Sequence, residues 1–154
     1  MLRREYETQN CSIARTLEVV GERWSLLIVR DVLFGVHRFD DLVEHLGITR
    51  SVLTARLERL VGAEVLSRQP YQQRPERNEY HLTDKGSQLW PVLVHLMRWG
   101  DEHYVGPNGP PRVLEHIDCG GHPDDHLHCD RCAEPLHDDN TTSRRNPAYA
   151  SARR

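Results

Sequence analysis

Cysteine and histidine are distributed unevenly along this chain, and their spacing suggests chemistry. Three of the four cysteines lie in CGGHPDDHLHCDRC, where Cys119-x2-His122 and Cys129-x2-Cys132 form two pairs with two-residue gaps. That spacing suits a tetrahedral zinc site, whose ligands are thiolates and imidazoles. The six residues between the pairs can close around one ion, and His116, His126, His128 and His137 are further candidates, so the ligand set stays open. A structural zinc is the cofactor this segment suggests; none is required elsewhere. A ribbon that has lost its metal, a plain polar tail and a histidine-rich low-complexity segment are the competing readings. A base deaminase is excluded, because His128 stands where that pattern needs proline and no His-x-Glu occurs. Cys11 stands apart, at the start of the first helical stretch. A thiol there can ionise early because the helix dipole favours thiolate; a small buried hydrophobe is the alternative. No nucleophile triad, paired buried carboxylates or phosphate loop accompanies these residues, so an enzyme is not expected.

The second group of chemical residues is basic. From Ile48 to Asn78 six arginines face three glutamates, whereas from Asp101 to Asn140 ten acids face Arg112 and Arg131. The net charge of −3 therefore hides a basic middle behind an acidic tail. Local charge governs the choice of partner, so nucleic acid is not excluded. In GITRSVLTARLERL the apolar residues Leu53, Leu57, Leu60 and Val61 recur at helical spacing. The opposite face reads Ser51, Thr54, Ala55 and Glu58, small at its start. A helix with that face can approach the floor of the DNA major groove. Arg50 at its N-terminal end can reach base edges, and Arg56 and Arg59 on its flanks can reach phosphates.

These side chains need positioning elements. Periodicity predicts short helices over Cys11–Val20, Glu22–Leu33 and Arg38–Leu46, broken by Gly21, Gly35 and Gly47. Thr49 is a natural N-cap for the fourth helix, Thr49–Gly62, and the pair around Gly47 has the spacing of a helix-turn-helix. Glu64–Tyr71 and Arg77–Leu82 alternate as strands, and the stretch QQRPE between them is a polar turn carrying Arg74. That is a β-wing, whose Arg74 suits the DNA backbone or minor groove. Thr83 caps a long helix to about Tyr104, with Pro91 implying a kink or a late start near Trp90.

The expected fold is mainly α with a small β-wing, a winged helix-turn-helix followed by a short Cys/His-rich tail. Its divisions are a flexible N-terminus (1–10), a DNA-binding and dimerisation domain (11–105), a linker (106–111), a possible zinc-binding appendage (112–140) and a disordered C-terminus (141–154). No apolar run approaches a membrane span, and MLRREYETQN has no leader-like apolar stretch, so a cytoplasmic protein with reduced thiols is expected.

CSIARTLEVVGERWSLLIVRDVLFGVHRFDDL, GITRSVLTARLERL, RNEYHLTDKG and PVLVHLMRWG together resemble the HxlR-type winged helix-turn-helix regulators, relatives of the MarR type. The likeness spans roughly Cys11 to Gly100, with its motifs in order. It implies a homodimeric bacterial transcription factor on a near-palindromic double-stranded operator, answering a small molecule or electrophile. Arg77 resembles the arginine just after the family's wing proline; pairing with Glu79 is its alternative. Cys11 resembles the N-terminal cysteine that some members use to sense oxidants. The sensors that form a disulfide within the dimer use a second cysteine in the helical body, and here the next is Cys119. Alkylation, or a bond between two Cys11 thiols, remains open. The alternative function is a metal-responsive regulator acting through the Cys/His tail.

Overall fold

The computed structural model describes residues 11–150. The segment 1–10, read as a flexible N-terminus, and the last four residues lie outside it. The chain divides between Ser87 and Gln88 into two compact units.

The first unit begins with α1 (Ser12–Val20), α2 (Ser25–Leu33), α3 (Phe39–Leu46) and α4 (Arg50–Gly62). One face of each apolar pattern goes inward: Ile28, Val29 and Val32 from α2, Leu42 from α3, and Leu53, Leu57 and Leu60 from α4 are buried. Gly47 adopts φ 64°, a left-handed geometry that ends α3 without a Cβ penalty. Two residues later the Thr49 hydroxyl accepts the Val52 amide and starts α4. Asp31 is buried in this core, where its carboxylate accepts bonds from Arg30 at 2.8 Å and from His45 Nδ1 at 2.7 Å. A buried carboxylate needs such partners, and these tie α2 to α3.

After α4 the chain turns into β1 (Leu66–Gln73) and β2 (Glu76–Leu82), an antiparallel hairpin running from Leu66↔Leu82 to Gln73↔Glu76. The strands extend further than the alternation predicts, so only Arg74 and Pro75 of QQRPE remain at the tip. The register slips between Pro70 and Gln72. Proline has no ladder donor, and a bulge beside it lets pairing resume toward the tip. The α2–α3 connection joins the hairpin through the bridge Arg38↔Glu79 and the Tyr80 amide to the His37 carbonyl. A four-residue helix, α5 (Asp84–Ser87), closes the unit, with Thr83 Oγ1 accepting the Gly86 amide. The long helix predicted from Thr83 is thus two helices.

The second unit starts with α6 (Trp90–His103), which begins late, with Pro91 in its first turn instead of kinking it. Trp90 and Val94 are buried, whereas Val92, Leu96 and Trp99 are exposed. Beyond the Gly106–Pro111 connection, β3 (Arg112–His116) pairs antiparallel with β4 (Thr141–Arg145), followed by α7 (Pro147–Ala150). The segment read as a disordered C-terminus is therefore ordered from Thr141 to Ala150. Its composition is polar, but its strand partner lies about thirty residues upstream, beyond any local pattern. Between the strands, residues 117–140 form loops held by the bridges Pro123↔Cys129 and His128↔Pro135. Among the described residues no helix is long and apolar enough to cross a membrane.

Candidate functional site

The outward face of α4 is as small as its sequence suggests: Ser51, Thr54 and Ala55 are exposed along its first two turns. The Thr54 hydroxyl donates to the Arg50 carbonyl at 2.9 Å, so its proton is taken up within the helix. Arg50 lies over the Phe39 ring, 4.8 Å from its centroid, and pairs with Asp40 at 2.6 Å. Both partners are more than 60% exposed, so the pair contributes about 0.5 kcal/mol and a phosphate or base edge can replace Asp40.

The other two helix arginines reach back toward the first helix and the turn after it. Arg56 pairs with Glu22 at 2.8 Å, its side chain only 25% exposed. Arg59 donates to the backbone carbonyl of Glu18 near the end of α1. Both contacts brace α4 against the first helix and the turn after it. A helical wheel gives the direction of these side chains and not the distant acceptors they meet.

In the wing, Arg74 at the tip and Arg77 on β2 are exposed, and neither has an ion-pair partner among the described residues. Glu79, the alternative partner for Arg77, instead takes Arg38 at 3.0 Å. The Arg38 guanidinium holds the Glu79 carboxyl below its usual range and is itself raised. Arg38 also covers the Tyr71 ring at 4.7 Å. Arg38 and Tyr71 went unnoticed in the sequence, because the partner that gives Arg38 its place is 41 residues away. Between the start of α4 and the wing lies a concavity of about 370 Å³, lined by Phe39, Asp40, Arg50, Tyr71, Arg77 and Tyr80 among others. The start of α4 and the wing's Arg77 thus line one open groove.

Cys11 is the exposed N-cap residue of α1. The backbone N–H groups of Ala14 and, secondarily, Ile13 hold its thiol below the ordinary range. That is the helix-terminus effect anticipated for a reactive thiol.

In the second unit the cysteines gather, with a different histidine. His116 Nδ1 lies 3.3 Å from both Cys119 Sγ and Cys132 Sγ, and Cys119 Sγ lies 3.3 Å from Cys129 Sγ and 3.6 Å from Cys132 Sγ. His122, expected as the histidine of this group, lies elsewhere: its Nδ1 bonds the Leu114 carbonyl at 2.9 Å, and its backbone pairs with Asp130. Spacing alone fits both histidines, since each stands three positions from Cys119. A signal was nevertheless present: Cys119 is followed by Gly120, which turns the chain at φ 68° as Ala133 does at φ 62° after Cys132. Of the remaining spare histidines, His126 and His128 give their backbone amides to Asp124, which holds that carboxyl below its usual range. His137 gives its amide to Asn140.

Comparison with known proteins agrees with this architecture. Residues 19–107 match the model of the HxlR-like helix-turn-helix family. The chain is 46% identical over 138 residues to Rv3095, an uncharacterized HTH-type transcriptional regulator of Mycobacterium tuberculosis, covering 90% of this chain and 87% of the relative. Among solved structures, the candidate transcription factor PA1607 superposes with a TM-score of 0.68 at 34% identity, over 88% of this chain and 94% of its own. The redox regulator HypR in its oxidized form superposes with a TM-score of 0.57 at 29% identity, over 62% of this chain and all of its own.

Proposed function

Because the chain belongs to the HxlR-like helix-turn-helix family, whose relatives are named transcriptional regulators, we propose that it acts as a homodimer on a near-palindromic operator. The observation that carries this reading is the groove between the start of α4 and the wing. Arg50 of α4 and Arg77 of β2 line it, Arg74 adds unpaired positive charge at the wing tip, and the exposed Ser51, Thr54 and Ala55 further along α4 let the helix backbone approach bases. Arg50, Ser51, Thr54 and Ala55 read base edges, and Arg74 and Arg77 hold phosphates. Arg56 and Arg59 support the helix from behind.

Homodimerisation is supported by two apolar stripes. Ile13 and Leu17 on α1, and Val92, Leu96 and Trp99 on α6, recur at helical spacing and are exposed, Trp99 by 54%. The sequence points instead to Trp90, Val94, Met97 and Trp99; of these Trp90 and Val94 are buried within the chain. A homodimer on a near-palindromic operator would need its two recognition helices about 34 Å apart, one duplex turn.

An electrophile or oxidant is the favoured effector, acting on Cys11, whose exposure and lowered thiol pKa support it. HypR, a structural neighbour, is a redox regulator. A second reading, operator affinity that answers to metal, rests on the four gathered side chains of the second unit. Gel retardation with the protein's own upstream DNA at two salt concentrations tests both. Retention lost with a quinone but kept by Cys11→Ser supports the thiol. Retention lost only with a chelator supports the metal, and no specific retention under any condition overturns the proposal.

A further inference from the structure

We propose that the second unit is built around one structural zinc ion, held by His116 Nδ1 and the thiolates of Cys119, Cys129 and Cys132. This inference stands apart from the operator reading.

The first support is a repeated backbone device. The amide of His116 bonds the Gly121 carbonyl at 2.7 Å, and the Gly120 amide returns to the His116 carbonyl at 2.8 Å. The amide of Cys129 bonds the Glu134 carbonyl at 2.8 Å, and the Ala133 amide returns to the Cys129 carbonyl at 2.9 Å. Each turn carries one ligand at its first position and one three residues later, followed by a left-handed residue, Gly120 or Ala133. Two unrelated sequences, HIDCGG and CDRCAE, thus adopt the same turn and aim two side chains each at one point. The four ligand atoms lie within 4.8 Å of one another.

Distance separates the chemical choices. A disulfide needs sulfurs about 2.05 Å apart, and the nearest pair here is at 3.3 Å. A zinc tetrahedron with the usual bond lengths has edges of about 3.8 Å between sulfurs and about 3.6 Å between sulfur and nitrogen. Four of the six separations, at 3.3 to 3.6 Å, lie inside those edges by about 0.2–0.5 Å, far closer to them than to a sulfur–sulfur bond. Close approach is also enforced by sequence: a Cβ on Gly121 would stand 2.3 Å from Cys129 Sγ.

The surroundings fit a ligating imidazole. His116 is buried, and its Nε2 has no hydrogen bond, yet it stands 3.5 Å from the Glu134 carboxylate and 3.8 Å from that of Asp118. A metal on Nδ1 fixes the tautomer with its proton on Nε2, where these carboxylates orient the ring. Three thiolates and one imidazole leave no coordination position open, and that set selects a soft tetrahedral ion over calcium or magnesium. A structural role also answers a need: few apolar side chains of the β3–β4 region are buried, chiefly Leu114 and Leu136. So small a core needs a staple. Arg98 of α6 donates to the Pro123 carbonyl and the Asp125 carboxylate, so the same staple steadies the loop on which that helix leans.

The test uses the full chain purified in reductant without added metal. About one zinc per chain is expected, and a thiol reagent should consume Cys11 at once and the three other cysteines only after a chelator is added. Replacement by cobalt should give the intense visible bands of a tetrahedral site with thiolate charge transfer. In chelator competition, His116→Ala should lose zinc affinity at least about tenfold, while His122→Ala should hold zinc as the parent does. Should either variant fail to fold, zinc content and the cobalt spectrum of the parent chain still decide. Zinc well below one per chain with four thiols reacting together, a disulfide among these cysteines in reductant, or an octahedral cobalt spectrum would overturn the site.

Discussion

Replacing Arg74 with alanine removes an exposed guanidinium at the tip of the wing that has no ion-pair partner among the described residues. If it lies on a phosphate, each wing loses one contact, and the slope of log affinity against log salt falls by about 0.9 per phosphate. Two wings on one operator make that about 1.8. Over a fourfold rise in salt, the variant should then lose roughly twelvefold less affinity than the parent, with its preference among sequences unchanged. Arg77→Ala should behave in the same way. Arg56→Ala provides the contrast, since its guanidinium is already paired with Glu22 at 2.8 Å and largely covered. It should keep the parent's salt slope and lower unfolding stability by about 1 kcal/mol. The assay is fluorescence anisotropy on labelled operator across a potassium chloride series, with urea unfolding alongside. Should Arg56→Ala flatten the slope as much as Arg74→Ala, the division between bracing and phosphate-holding arginines is wrong. Should Arg74→Ala change base preference and leave the slope intact, the wing does not contact the backbone.

Arg50→Ala and Thr54→Ala should relax specificity, costing about 1–3 kcal/mol of discrimination at one base pair while non-specific binding changes less; competition among point-mutated operators checks this. Cys11 has a depressed thiol pKa, so its thiolate is populated at lower pH than usual. Its iodoacetamide rate, followed by peptide mass, should reach half its plateau at a lower pH than the same cysteine shows in the urea-unfolded chain, and a midpoint no lower than that reference contradicts the helix-terminus argument. Asp31→Ala leaves Arg30 and His45 without their buried acceptor. Since both partners still reach water, the cost should be about 2 kcal/mol in urea unfolding, and a loss under about 0.5 kcal/mol would show the carboxylate to be dispensable. Leu96→Glu places a charge in the exposed stripe of α6 and should shift sedimentation toward monomer, while an unchanged dimer would move the interface elsewhere.

Sequence alone determined what depends on local order. Periodic leucines place α4, Gly47 and Thr49 mark its entry, alternation marks the wing, and Cys129-x2-Cys132 marks a pair with metal-ligand spacing. Each of these follows from residues within a few positions of one another, where backbone preference and side-chain period act directly. Tertiary structure decided the rest, because the deciding partner is distant. Arg56 and Arg59 look like free flank charges until Glu22 and the Glu18 carbonyl, 34 and 41 residues away, meet them. Thr141–Arg145 looks unstructured until β3 offers it a ladder. His116 and His122 stand at equal spacing from Cys119, and the choice between them falls to the Leu114 carbonyl, which takes the ring of His122 and leaves His116 facing three thiols. Spacing gives reach; direction comes from the packing that uses up the alternatives.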